Sequence, residues 1–165
     1  MLDLAGQIKS FKQFYRRFVP CGQAPPMLVA FFGPVNLKGE RTLEPTVSLL
    51  VVNGMNMEAR EVIGTWLREK ADELEAVGLV LGAEVWAREV PFGEIPPEPT
   101  AVGSDPGRRA VLLIHVETLT EQYDHFAYIE EGEDDSRNLG KTWHELSSSF
   151  GDYTDLLPKE LEVLN

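Results

Sequence analysis

The stretch HVETLTEQYDH, residues 115–125, carries the densest group of chemically active side chains in the sequence. His115 and Glu117 are two positions apart, so a β-strand would place both on the same face. A hairpin with a two-residue loop in the middle of the stretch would set Glu117 opposite Asp124. Because imidazole and carboxylate groups are common metal ligands, the sequence predicts a candidate metal site at His115, Glu117 and Asp124.

A purely structural interpretation of the same stretch stays open beside the metal site. The spacing matches no diagnostic metal motif such as HExxH, and His144 is only a distant fourth ligand. A solvent-facing hairpin end with acidic side chains would keep the exposed tip of a sheet from pairing with neighbouring molecules.

A second candidate site follows the turn sequence SDPG, after which Arg108 and Arg109 begin a strand on opposite faces. Arg88 ends the preceding strand and would lie nearby. Guanidinium groups recognise anions well, so Arg88 with Arg108 or Arg109 predicts a site for a small anionic ligand. The alternative is that one arginine pairs with Glu84 or Glu89.

No other pattern in the sequence points to catalysis. The chain has no Gly-rich phosphate-binding loop and no GxSxG nucleophile elbow, and Cys21 is its single cysteine. We therefore assign no catalytic residue and no cofactor, and we favour a protein that is not an enzyme.

Two helices can be read from periodicity. Apolar residues at steps of three and four predict an N-terminal amphipathic helix over 3–18. A longer helix is predicted over 57–77, where Gly78 stands at the position of a left-handed C-terminal cap. The face of the first helix opposite its apolar stripe is basic and consists of Lys9, Lys12, Arg16 and Arg17.

The remaining regular segments read as strands. These are residues 27–32, 46–52 and 79–88, followed by the hairpin 108–117 and 123–131. Residues 46–52 are almost entirely apolar, which predicts a central strand buried on both faces. The predicted fold class is α+β: one mostly antiparallel or mixed sheet of about five strands, with the long helix packed on a face.

The whole chain, residues 1–165, is predicted to form a single domain. Residues 91–107 hold five prolines and three glycines, so they read as a proline-rich loop that could be a recognition arm. Residues 147–165 read as a loosely ordered acidic tail.

Fifteen basic and 27 acidic residues give a net charge of −12, which disfavours nucleic-acid binding because phosphates would be repelled. No apolar run approaches the roughly 20 residues of a membrane span, and no signal peptide is evident, so we expect no membrane contact and a cytoplasmic location.

The motifs LGAEVWARE, SDPGRRAVLLIHVE and LGKTWHELSSSFGDYTDLLP, separated by the proline-rich gap, follow one another in an order that resembles uncharacterised bacterial and phage proteins. The resemblance covers residues 57–157. It implies an α+β fold and a prokaryotic, phage or mobile-element origin, and it carries no activity onto any residue.

The leading functional hypothesis is an acidic binding or regulatory protein that engages a protein partner through its charged surface and proline-rich loop. One alternative is a hydrolase that uses the 115–125 hairpin with a metal, or the region of Arg88, Arg108 and Arg109 with an anionic substrate. The other is a homo-oligomeric structural component, in which the basic first helix docks on the acidic tail of another subunit.

Overall fold

The computed structural model describes residues 2–53, 60–88, 107–147 and 153–158. These residues form two helices, seven strands and two short 3₁₀ turns. In chain order the helices and strands are α1 (Leu4–Phe18), β1 (Met27–Val35), β2 (Arg41–Val52), α2 (Arg60–Glu73), β3 (Gly78–Ala87), β4 (Arg109–Thr118), β5 (Gln122–Glu131), β6 (Arg137–Leu139) and β7 (His144–Leu146).

All described strands belong to one antiparallel sheet in the order β2-β1-β3-β4-β5-β6. The short strands β6 and β7 both pair with β5, at 129–131 and 124–126 respectively. The sheet curls into a half-barrel. Among the described residues, no helix is both long and apolar enough to cross a membrane.

The sheet separates two hydrophobic clusters, because successive side chains of a strand point to opposite faces. In β1 the even-numbered residues 28–32 pack with α1, in a cluster that we call the α1 core. The odd-numbered residues 27–31 pack with α2 and with segment 153–158, in a cluster that we call the α2 core. Each helix therefore covers its own face of the sheet.

Tyr15 fixes α1 to the sheet by a buried hydroxyl. Its oxygen lies 2.7 Å from the carbonyl oxygen of Gly82 and 2.8 Å from that of Pro26, and it accepts a hydrogen bond from the Leu28 N–H at 3.2 Å. A Cβ on Gly82 would come within 2.4 Å of the Tyr15 ring, so only glycine leaves room for this contact. Burial raises the pKa of Tyr15, so the hydroxyl stays protonated at neutral pH.

We expect Tyr15→Phe to lower the free energy of unfolding by about 1–3 kcal/mol, because the Leu28 N–H and a backbone carbonyl would remain buried without a partner. Urea denaturation measures the loss. Tyr123→Phe, at a half-buried tyrosine, is the matched control and should change stability by less than about 0.5 kcal/mol. Equal losses in the two variants would contradict the role of the Tyr15 hydroxyl.

The predicted fold class is wrong in its proportions. The described part of the chain is mostly sheet, with seven strands in place of about five, and the described part of the predicted long helix, α2, covers 14 residues. Residues 57–59 of the predicted helix lie outside the described residues. The additional strands β6 and β7 are three residues each, which is too short to produce a readable alternation of apolar and polar positions.

The predicted C-terminal end of the long helix is also wrong. Glu75 adopts the left-handed conformation at φ 49°, and its N–H bonds to the Asp72 carbonyl while the Ala76 N–H bonds to the Ala71 carbonyl. This is a Schellman motif, which closes the helix three residues before Gly78. Gly78 begins β3 instead.

The predicted central strand 46–52 lies at the edge of the sheet, because β2 is the outermost strand. Val47, Leu49 and Val51 expose 46%, 51% and 55% of their surface. An apolar composition indicates that a strand has two hydrophobic faces, but it does not encode which strands lie on either side.

Candidate functional site

The hairpin β4–β5 pairs in a register that differs from the predicted one. His115 lies directly opposite Asp124, and Glu117 lies opposite Gln122. The loop holds three residues, 119–121, and the Thr118 hydroxyl accepts hydrogen bonds from two backbone N–H groups of that loop. The Thr118 N–H also donates to the Glu121 carbonyl at 2.9 Å, so the turn is centred on Leu119 and Thr120, one position before the centre that would set Glu117 opposite Asp124. Moving the turn by one residue displaces the pairing by two positions, which preserves the face of each side chain but changes its neighbours.

The three predicted metal-site residues are buried and hydrogen-bonded to one another. His115 lies between the two carboxylates: its Nδ1 is 2.8 Å from Oδ1 of Asp124, and its Nε2 is 3.0 Å from Oε1 of Glu117. Exposure is 1% for His115, 0% for Glu117 and 2% for Asp124. The interpretation of these residues as a solvent-facing hairpin end is therefore wrong.

Glu117 also binds the backbone of segment 153–158. Its two carboxylate oxygens accept hydrogen bonds from the Leu156 N–H at 3.0 Å and the Leu157 N–H at 2.5 Å. We call the set of Asp124, His115, Glu117 and these two N–H groups the buried polar network. Each of these contacts pairs a buried donor with a buried acceptor, as a low-dielectric interior requires.

Further contacts hold the same segment in place. The Gln122 amide exchanges two hydrogen bonds with Asp155, and Arg68 of α2 donates to the carbonyls of Thr154 and Asp155. The side chains of Tyr153, Leu156 and Leu157 are buried in the α2 core. The sequence predicts a loosely ordered tail over 147–165, but within it the described residues 153–158 are docked on β4, β5 and α2.

The ionisation of the network follows from its contacts. Burial alone would lower the pKa of His115, but hydrogen bonds to Asp124 and then Glu117 outweigh it, so the pKa lies above its ordinary value. Burial alone would raise the pKa of Glu117, but the hydrogen bonds from His115, Leu156 and Leu157 lower it below its ordinary value. Both shifts favour the charged form of the group concerned, an imidazolium at His115 and a carboxylate at Glu117.

The metal site at His115, Glu117 and Asp124 stays a prediction, and the described contacts do not support it. Both ring nitrogens of His115 are engaged by carboxylates, so the ring has no lone pair directed at a point shared with Glu117 and Asp124. Among the described residues no group of three or more His, Cys, Asp or Glu side chains could hold a metal ion. The structure brings the three residues together as an ion-pair chain.

A pocket of about 310 Å³ opens on the same face of the sheet, farther along the strands. Its walls are mainly apolar and aromatic, and Asp124 of the buried polar network lies at one end. We call it the β3–β5 pocket, and it is lined by Val85, Trp86, Ala87, Arg88, Arg109, Val111, Leu113, Asp124, Phe126, Tyr128 and Leu146.

The structure brings two of the three predicted arginines to one pocket, and the third, Arg108, does not line it. Arg88 and Arg109 line the β3–β5 pocket, and the Arg109 guanidinium lies 3.7 Å from the centre of the Tyr128 ring. Arg108 instead stacks on Trp86 at 4.2 Å. Glu84 forms its ion pair with Arg137 and not with one of the three predicted arginines. Glu89 lies outside the described residues.

Part of the basic face of α1 lies against the protein itself. Lys12 donates to Nδ1 of His125 at 3.1 Å, and Arg16 donates to two backbone carbonyls at the end of β6. Burial, followed by the nearby charge of Lys12, lowers the pKa of His125, which agrees with a neutral imidazole accepting that bond. Lys9 and Arg17 are exposed.

The fold and the site together define a curled antiparallel sheet protein with a helix on each face and a small apolar pocket beside a buried ionic network. Comparisons of the chain with protein-family models, with curated proteins and with solved structures found no match.

Proposed function

We propose that the protein binds a small organic anion with an apolar body in the β3–β5 pocket. The pocket volume of about 310 Å³ lies at the lower end of the range for small-molecule sites, and its walls are largely apolar with few charged groups. Such a pocket would take a carboxylate, sulfonate or phosphate group attached to an aromatic or branched aliphatic moiety.

The observation that carries the proposal is the position of Arg109. Its guanidinium is stacked on Tyr128 at the pocket, and it has no hydrogen-bond acceptor or carboxylate partner among the described residues. Stacking holds the planar group in one orientation and leaves its N–H groups available. Two of these N–H groups can then bind one anion in a bidentate geometry. Arg88 adds a second positive charge to the pocket lining.

The far end of the pocket limits the length of the ligand. Tyr128 and Asp124 are four residues apart on β5, which corresponds to about 13 Å along a strand. Phe126 lies between them on the same face, and Val111 and Leu113 lie opposite on β4. The anionic end of a ligand would lie at Arg109, and its apolar body would lie on Phe126 toward Asp124.

Two fluorescent probes that differ in charge test the proposal. We expect the aromatic sulfonate 1-anilinonaphthalene-8-sulfonate to bind, and Arg109→Gln to weaken that binding about 10- to 100-fold, the equivalent of one charge-assisted hydrogen bond. Binding of the neutral N-phenyl-1-naphthylamine should stay within about twofold, because the apolar walls are unchanged. Fluorescence titration measures both.

Two further variants serve as controls for this titration. Lys9→Gln removes one exposed positive charge outside the pocket and should leave both affinities unchanged. Leu113→Trp should fill the pocket and abolish binding of both probes. The proposal fails if the wild-type protein binds neither probe, or if Arg109→Gln binds the sulfonate as tightly as the wild-type protein does.

Binding of a protein partner through the acidic surface and the proline-rich loop stays a prediction, since residues 89–106 lie outside the described residues. The hydrolase alternative also stays a prediction. The anion-binding half of that alternative coincides with the pocket proposed here, and the buried polar network does not supply the metal-binding half.

A further inference from the structure

The outer edge of β2 presents a row of exposed apolar side chains. β2 pairs with β1 on one side, and no described strand pairs with its other side. Val47, Leu49 and Val51 are about half exposed. Their partners on β1 are Phe32, Ala30 and Leu28, which are buried beneath α1. The apolar face of the sheet therefore continues past α1 onto an edge strand.

This edge lacks the usual protection against pairing. Natural edge strands carry charged side chains, proline or bulges that prevent association with another strand. Residues 46–52 of β2, TVSLLVV, contain no charge and no proline, and they pair with β1 without a register shift. The nearest features of that kind are Glu44 and Pro45, which precede the segment.

We propose that residues 46–52 form an antiparallel strand pair with the same segment of a second copy of this chain. The sequence is self-complementary about Leu49. With Leu49 opposite Leu49 of the second copy, Val47 lies opposite Val51 in both directions, so the exposed row meets only apolar partners. On the other face, Ser48 lies opposite Leu50.

The charge of the protein favours association of two copies through this segment over association through the rest of the surface. A net charge of −12 opposes association of two copies through most of their surface. Residues 46–52 are neutral, and their antiparallel pairing places no acid opposite another acid. Seven residues from each copy give a small contact, of the class below about 1,200 Å², so the dimer should be weak and dependent on concentration.

Sedimentation equilibrium between about 5 and 500 µM tests the association. We expect the average mass of the wild-type protein to rise toward that of a dimer across this range, and Leu49→Lys to remain a monomer, because two lysines would face each other on the symmetry axis. Val62→Lys, at an exposed residue of α2, should associate as the wild-type protein does. A wild-type protein that stays monomeric throughout, or a Leu49→Lys variant that still dimerises, would overturn the proposal.

Cysteine crosslinking tests the register. In a Cys21→Ser background, Leu49→Cys would place the two thiols opposite each other, within reach of a disulfide, and oxidation should give a covalent dimer. Val47→Cys on the same face would place its thiols four residues apart, about 14 Å, and should not crosslink. Crosslinking at residue 47 but not at residue 49 would rule out this register, and crosslinking at neither would rule out the strand pair.

Discussion

Glu117→Leu is expected to lower the free energy of unfolding by about 3–5 kcal/mol, the cost of removing one partner from a buried ion pair. The substitution leaves the N–H groups of Leu156 and Leu157 buried without an acceptor, and it leaves one side of the His115 ring without its carboxylate. For a chain of this length the loss corresponds to a decrease in melting temperature of roughly 10 °C. Calorimetry or urea denaturation measures it.

Two control variants separate charge from packing in this experiment. Glu121→Leu makes the same change in the exposed loop of the hairpin and should alter stability by less than about 0.5 kcal/mol. Glu117→Gln retains an acceptor oxygen for one N–H group and should fall between the wild-type protein and Glu117→Leu. If Glu117→Leu were as stable as Glu121→Leu, the contacts with segment 153–158 would contribute nothing to stability.

The second large effect is the dependence of stability on pH. The pKa of His115 is raised above its ordinary value of 6.5, so its contribution is fully present below that value and is lost as the pH rises through the folded-state pKa. The pKa of Glu117 is lowered below 4.5, so its contribution is present above 4.5 and is lost as the pH falls through the folded-state pKa. Their joint contribution is therefore greatest between about pH 4.5 and 6.5.

His115→Gln tests which group produces the alkaline decline. The variant removes the imidazolium from between two buried carboxylates, so we expect it to lose about 3–5 kcal/mol at neutral pH. Its stability should no longer decline between pH 6.5 and 9 as that of the wild-type protein does. His144→Gln replaces an exposed histidine and should keep the wild-type profile. A decline that persists unchanged in His115→Gln would mean that another group titrates there.

The sequence predicts the local elements of this fold better than their arrangement. The apolar spacing predicts a first helix over residues 3–18, and the observed helix α1 spans Leu4–Phe18. At its start the Asp3 side chain accepts a hydrogen bond from the Gly6 N–H. The position of β2 at the sheet edge depends on strand order, which is a property of the whole chain. The early end of α2 depends on a non-glycine residue, Glu75, adopting a left-handed conformation, which a residue-type rule does not favour.

The candidate sites differ in the same way: the face on which a side chain lies could be predicted from the sequence, and its burial could not. Alternation along a strand correctly places His115 and Glu117 on one face, and it separates Arg108 from Arg109. The burial of the network could not be predicted, because it depends on the position of the hairpin turn, which sets the register, and on a segment about forty positions away that covers Glu117. The apolar pair Leu156–Leu157 is the sequence signal for an anchor within the otherwise loosely ordered tail, and both side chains are buried in the α2 core.

The separation between Glu117 and its backbone donors has a consequence for folding during synthesis. Glu117 is 39 and 40 positions away from Leu156 and Leu157, so β4 leaves the ribosome well before the two N–H groups that donate hydrogen bonds to its buried carboxylate. Until those N–H groups are synthesised, burial of His115 and Glu117 is unfavourable. We therefore expect both side chains to stay hydrated and the α2 face of the nascent hairpin to stay exposed to water. Among the described residues, the α1 core includes none beyond Trp143, so it can form earlier. We therefore expect the α1 face of the sheet to close before the α2 face during synthesis.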